Sequence, residues 1–186
     1  MRHPDDCLIS ARLRLRRYRA DELDALDRLN RDPAVMRHMG GPASRADTED
    51  MLRHRILAYY DAHPGLGVWA VETLDSGTCI GFHLLNHVRG EPWSQVGYRL
   101  YPEHWNCGYA TEMTRVVLRY GFEQLGLPRI VAITALDNVG SQQVLLKCGL
   151  RREGERRFGH PGYGGQPLAW FIAEREAWLA APSVSS

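Results

Sequence analysis

The chain has no apolar run approaching the roughly 20 residues that a membrane-spanning helix needs. Only Met1 to Asp6 precedes the first expected strand, so no secretory h-region is read there. Together these set a cytoplasmic location as the expectation, with no membrane partner. Excess charge of one sign is also lacking. The 23 Lys+Arg stand against 22 Asp+Glu, a formal net charge of +1, whereas a dedicated nucleic-acid binder is usually far more basic. Cysteine is sparse: Cys7, Cys79, Cys107 and Cys148 are scattered and form no Cys-x-x-Cys pair. That spacing argues against a disulfide framework and a zinc site alike, and leaves each as a small buried thiol. His83 and His87 sit four apart in an expected strand, but no third ligand accompanies them, so no metal is expected.

What remains is an ordinary globular composition over 186 residues, 44% hydrophobic and 24% charged, a length that suits one domain. The one local charge run, Arg12, Arg14, Arg16, Arg17 and Arg19, alternates with Leu13 and Leu15. It reads as the solvated face of a half-buried strand over about 8–17. A helix follows from Asp21 to about Asn30, interrupted at Asp32-Pro33. A second helix starts near Ser44, with Asp47 as a capping-box partner and Leu52, Ile56 and Tyr59 as its buried stripe. Strands are expected at 68–74 and 79–88 around Asp75-Ser76-Gly77, and at 94–101. Thr114, Val117, Leu118, Gly121 and Phe122 mark an amphipathic helix that Gly126 ends. Ile130–Leu136 is apolar on both faces and reads as a central strand. A helix over about 138–147, then strands at about 150–158 and 167–174, close an α/β domain over 8–179, with 180–186 as a flexible tail. The expected sheet is mixed and mostly antiparallel, about seven strands flanked by about four helices. Its free edge near the C terminus would permit a homodimer.

Two segments carry chemistry. In Tyr101-Pro-Glu-His-Trp105-Asn-Cys-Gly108-Tyr-Ala110-Thr-Glu112 a strand runs through a short loop into a helix. The first turn of a helix presents amides without intrahelical acceptors, under the positive end of the macrodipole, where phosphate oxygens bind well. Gly108 and the small Ala110 would let a ligand approach the backbone. The loop is neither a Walker A nor a G-x-G-x-x-G turn, and an ordinary tight turn fits it equally. The second segment, Leu136-Asp-Asn138-Val-Gly-Ser141 to Lys147-Cys-Gly149-Leu150, again leads from an apolar strand into a helix. Taken alone, Asn138 is a helix N-cap and Ser141 a first-turn polar residue.

In this order and spacing the pair resembles the acetyl-CoA motifs of the GNAT superfamily of N-acetyltransferases. Val96-Gly97-Tyr98-Arg99-Leu100, followed by Trp105-Asn-Cys-Gly-Tyr-Ala-Thr-Glu112, is similar to the RimJ/RimL-type branch, which includes ribosomal-protein N-terminal acetyltransferases. The similarity runs from about residue 8 to 178. It implies that main-chain groups of Arg99 and Leu100 pair with the pantetheine arm of acetyl-CoA. The amides of Asn106, Cys107, Gly108, Tyr109, Ala110 and Thr111 would hold the pyrophosphate, and Asn138 and Ser141 would lie beside the thioester. The implied activity is acetyl transfer to a primary amine of a protein N-terminus, an amino acid or a small molecule.

Two departures bear on mechanism. Asn106 stands where the family often has glycine. Leu145 stands seven residues after Asn138, where many relatives place a tyrosine acid, which leaves Ser141 as the hydroxyl on that helix face. No carboxylate precedes Gly97 in its strand; Glu91, Glu103, His104 and His160 border the presumed cleft, and Glu112 fits a helix-terminal role. The loop from Phe158 to Gly165 is read as either a lip over the acceptor site or a plain hairpin connection. The missing acid and base keep a second reading open, a non-catalytic acyl-CoA sensor or regulatory partner.

Overall fold

The computed structural model describes residues 8–160 and 163–180. The expected first strand is broken into a tight hairpin, β1 (Leu8–Ile9) against β2 (Leu13–Arg17). Ser10 causes the break: its N–H donates to the Leu13 carbonyl at 2.8 Å and its hydroxyl accepts the Leu13 N–H at 3.0 Å. Among the described residues the sheet therefore has eight strands, where about seven were expected. They are completed by β3 (Gly67–Thr73), β4 (Cys79–His87), β5 (Ser94–Leu100), β6 (Arg129–Ala135), β7 (Arg151–Arg156) and β8 (Leu168–Glu174). Their order is β1-β2-β3-β4-β5-β6-β8-β7, antiparallel throughout except for the β5–β6 neighbours. The architecture is thus the mixed, mostly antiparallel α/β sheet that the sequence led us to expect.

Helix boundaries follow from local hydrogen bonds. Helix α1 (Leu23–Arg31) begins after Glu22, two residues later than expected, because Glu22 accepts the Arg19 N–H at 2.8 Å and holds the Arg16 guanidinium. Asp32-Pro33 not only interrupts the chain but starts α2 (Pro33–Met36), with Asp32 Oδ1 accepting the Ala34 and Val35 amides. Ser44 and Asp47 form the expected reciprocal cap of α3 (Arg45–Asp50). The chain then widens into π-type turns over Met51–Leu57 before α4 (Ala58–Ala62). Those extra residues per turn shift the buried stripe: Leu52 and Ile56 are buried as expected, but Tyr60 follows them in place of Tyr59.

Alternation along β3 and β4 separates two cores. Val68, Ala70 and Phe82 face Leu26, Leu29, Leu52 and Ile56 on one side. On the other, Val71, Ile80 and Leu85 meet Met113, Val117 and Leu118 of α5 (Tyr109–Arg119) and Leu145 of α6 (Val139–Lys147). Helix α5 runs on through wider turns to Gln124 and acts as the crossover between parallel β5 and β6. The fold ends in α7 (Arg175–Ala180); residues 181–186 of the expected tail lie outside the described residues. Edge strand β7 carries Arg151, Arg152, Glu153 and Glu155, charges that disfavour edge-to-edge pairing of the kind a homodimer there would use. The N-terminal arginines are mostly paired: Arg12 with Glu112, Arg14 and Arg16 with Glu72, Arg19 with Glu22. Not every cysteine is a buried thiol. Cys148 is buried, Cys79 is intermediate and Cys107 is exposed, because the loop that holds Cys107 lies on the surface.

His83 and His87 share no site. His87 bonds the Tyr59 hydroxyl at 2.7 Å, whereas buried His83 donates from Nδ1 to the Leu84 carbonyl and accepts at Nε2 from Thr114 at 3.0 Å. Burial pushes the His83 pKa down from 6.5 to about 3. Below pH 6.5 the unfolded chain therefore binds a proton that the folded chain refuses. Stability should fall by about 2 kcal/mol between pH 6.5 and 5 from this group alone. Urea unfolding of the native protein and of His83→Gln at pH 7 and pH 5 checks this; the variant should lose less stability on acidification.

Candidate functional site

Strands β5 and β6 pair only at Ser94–Ile130 and Gln95–Val131, then part. Past that point, one side of β5 has no strand partner. Which main-chain groups face the gap is set by the β4 pairing. Tyr101 donates its N–H to the Ile80 carbonyl at 3.0 Å, so the alternate residues Arg99 (opposite Phe82) and Gly97 (opposite Leu84) also turn their main chain to β4. Tyr98 and Leu100 turn theirs into the gap. This corrects the expectation for Arg99: strand alternation gives the cleft-facing main chain to Tyr98 and Leu100 instead. The Leu100 carbonyl accepts the Trp105 indole N–H at 2.8 Å. Gly81 lets β4 and β5 approach here, with φ at +140° and no room for a Cβ beside the Arg99 carbonyl.

A cavity of about 650 Å³ opens from the gap. Its wall is built from Tyr98 to Leu100, from the loop before α5, from the first two turns of α6, and from α2 with the two residues after it. Asn106, Gly108, Tyr109, Ala110 and Thr111 all line it. Cys107 does not: it is turned outward, and its carbonyl accepts Arg12 Nη2 at 3.0 Å. The loop reaches this shape through two left-handed residues, Asn106 at φ 59° and Gly108 at φ 79°. Asparagine is among the few side chains that tolerate that region, so its presence in place of glycine does not close the loop. Gly108 is also the N-cap of α5 and supplies no side-chain cap. Outside the helix itself, the amides of residues 106–111 find no acceptor among the described residues. These are the groups a phosphate would satisfy.

On α6, Asn138 Oδ1 accepts the Ser141 N–H at 3.2 Å, so its side chain is a cap. Ser141 and Tyr98 both line the cavity; burial pushes the Tyr98 phenol up to about 12, with the Ser141 hydroxyl opposing that shift. Sequence reasoning missed Tyr98 as a side chain; the only available signal was that Val96, Tyr98 and Leu100 share the strand face turned to α5 and α6. Leu145 is core and touches no part of the cavity. His104 and Lys147 line it, while Glu91 and Glu103 are held by Arg156 and Arg28. Glu112 binds the Ser10 hydroxyl at 2.7 Å and the Arg12 guanidinium, fixing the first turn of α5 against the β1–β2 hairpin. Of the loop from Phe158 to Gly165, Pro161 and Gly162 lie outside the described residues, and His160 is not in the cavity wall. The residues after α2 are tied to the turn before α6. Arg37 Nε donates to His38 Nε2 at 2.9 Å, which leaves His38 Nδ1–H to donate to Asp137 at 3.0 Å.

A family model described as an acetyltransferase (GNAT) domain matches residues 12–151. An uncharacterized N-acetyltransferase of Bacillus subtilis, YoaA, is 44% identical over 95 residues, 48% of this chain and 51% of that protein. The FsC-acetyl coenzyme A-N(2)-transacetylase of Aspergillus fumigatus is 30% identical over 152 residues, 77% of this chain and 64% of that one. The chain therefore spans about half to two thirds of the length of these relatives. Among solved structures, an acetyltransferase from Agrobacterium tumefaciens superposes with a TM-score of 0.77 at 25% identity, covering 90% of this chain and 94% of that one.

Replacing Gly108 tests the loop. A side chain at φ 79° costs roughly 1–2 kcal/mol in the left-handed region, more for a β-branched residue, and relaxation would rotate the free amides. Gly108→Val should weaken coenzyme A binding at least about tenfold in calorimetric titration. Unchanged affinity would remove the loop from the binding site.

Proposed function

Since the chain belongs to the acetyltransferase (GNAT) family, we propose that it moves the acetyl group of acetyl-CoA to a weakly basic primary amine. The observation that carries this reading is the conjunction of the parted strands with the unfilled amides of residues 106 and 108–111 in one cavity. In this reading those amides take the diphosphate, while the cleft-facing main chain of Tyr98 and Leu100 pairs with the pantetheine as an added strand would. The cavity fits the cofactor's charge: its wall includes Arg37 and Lys147 and, among the described residues, no Asp or Glu. The name of the Aspergillus relative points to the same donor.

The transfer forms a C–N bond and breaks the C–S bond. The amine loses a proton and the departing sulfur gains one. An N–H of β5 at the gap would stabilise the oxyanion of the tetrahedral intermediate. Leu145 cannot serve the sulfur, so we assign that task to the Ser141–Tyr98 pair. Both hydroxyls are on the cavity wall, and the phenol stays protonated throughout the physiological range. Ser141 would touch the sulfur and Tyr98 would orient it.

With no carboxylate in the wall, the amine must arrive unprotonated. For a lysine of pKa about 10.4 that costs roughly 4.6 kcal/mol at pH 7, against about 1–1.4 kcal/mol for the α-amine of a peptide N-terminus, of pKa about 7.7–8.0. The α-amine is favoured, which agrees with the resemblance to N-terminal acetyltransferases of the RimJ/RimL type. A sensor that binds acyl-CoA without turnover is the competing reading, and Leu145 is what favours it.

Coenzyme A thiol release with a panel of α-amines and ε-amines separates the two. Turnover should rise with pH to a plateau near the pKa of the acceptor. Ser141→Ala should lower kcat by about tenfold or more with the affinity for acetyl-CoA within about threefold. Tyr98→Phe should do the same to a smaller extent. Tight binding without release on any amine would establish the sensor instead.

A further inference from the structure

Arg99 sends its side chain to the sheet face opposite Tyr98 and Leu100, toward α1. Its Nη1 donates to Asn30 Oδ1 at 2.7 Å, and its guanidinium lies 5.3 Å from the centre of the Phe82 ring. Both partners are neutral. The guanidinium carries five N–H donors, and among the described residues no carboxylate pairs with it, in contrast to Arg14 and Arg16 on Glu72. Nearby Tyr18 is a phenol held protonated by burial. Desolvation brings the Arg99 pKa down to about 10, and the group remains a cation at neutral pH. A partly buried charge lacking a counterion is costly, and this one lines the cavity.

The cofactor does not supply the missing anion. The free amides of residues 106–111 belong to the start of α5, whose core residues pack on the same sheet face as Leu100. Arg99 stands on the other face, with α1 and Phe82. The acyl carbon would lie at the gap between these faces, beside the main chain of Tyr98 and Leu100, so a group on Arg99 is one the acceptor brings.

Resting on the proposed acetyl transfer, we infer that Arg99 is a specificity-determining residue that binds a carboxylate of the acceptor close to its reacting amine. The substrate class is then an amino acid or an N-terminus whose first side chain is acidic, and polyamines and other polycations are excluded by the cation-lined wall.

Matched pairs test this. Release of coenzyme A thiol is measured with glycine against glycinamide, and with peptides beginning Asp-Ala against Asn-Ala, each kcat/KM being referred to the unprotonated amine because a neighbouring carboxylate makes the amine more basic. Preference in the first pair identifies a free amino acid, and in the second a peptide N-terminus. The acid should exceed its amide in kcat/KM by at least about tenfold. Arg99→Gln should bring the ratio near one, and Arg99→Lys should restore part of it. Asn30→Asp, which places a carboxylate on Arg99 from within the chain, should also abolish the preference while keeping the arginine.

Binding is read separately by calorimetric titration of the coenzyme A-loaded protein with N-acetylglycine and N-acetylglycinamide. Tighter binding of the acid, lost in Arg99→Gln, supports the site even where no amine is turned over, the result that would defeat acetyl transfer alone. Equal handling of acid and amide in both assays overturns the inference. So does spermidine as the best acceptor, or a loss of acetyl-CoA affinity in Arg99→Gln that matches the loss of acid preference.

Discussion

The site depends on a sheet that fails to close. After two paired positions β5 and β6 diverge, and main-chain groups that elsewhere would satisfy one another are left facing a gap. Unpaired backbone groups away from bulk water are costly, and folded proteins leave few of them. Here the gap is held open by what flanks it. On one side β4 locks alternate residues of β5 through Arg99 and Gly97. On the other, β6 is held along its whole length by β8, from Arg129–Glu174 to Ala135–Leu168. Neither strand is free to move over and close the ladder. An extended ligand arm with amide groups of its own is the chemistry that such a gap accepts, by the same pairing an added strand would use.

Electrostatics divides the molecule in a complementary way. Outside the cavity arginines are abundant but mostly neutralised, as along β2, where the buried Glu72 and the largely shielded Glu22 hold Arg14, Arg16 and Arg19. In the cavity, cations appear without acids. Such pairing flattens the field outside the cavity, so the potential that a charged ligand meets is concentrated at the cleft. A net charge of +1 therefore conceals a strongly polarised distribution.

Much of this was legible in the residues, and the gaps in legibility have physical causes. Ser44 and Asp47 announced their cap because a capping box is local. The amphipathic pattern of α5 and the apolar stretch of β6 announced their burial because periodicity reports a face. The π-type turns after Asp50 were not legible, since nothing local distinguishes them from α turns, and Tyr60 replaced Tyr59 as a result. The break at Ser10 was hidden by an alternation that continues through it. For the site, the loop and α6 could be placed from their motifs, but the direction of a strand's main-chain groups depends on its neighbour. Arg99 was assigned to the gap for want of that register, and the role of its side chain could not be seen at all.

The hydroxyl pair shows how a position that looks vacant in the sequence is filled in space. Leu145 occupies the helix position where a tyrosine acid would stand, and it is fully used as core. The second hydroxyl on the cavity wall comes from the strand across the cleft, where Tyr98 alternates with Val96 and Leu100 toward the same helices. A phenol so placed is anchored in the sheet, and its partner is held by the Asn138 cap through the Ser141 amide. The proton donor proposed for the sulfur is thus fixed by two rigid elements that meet only because β5 and β6 part. The geometry of the gap and the chemistry at its end have a single structural origin.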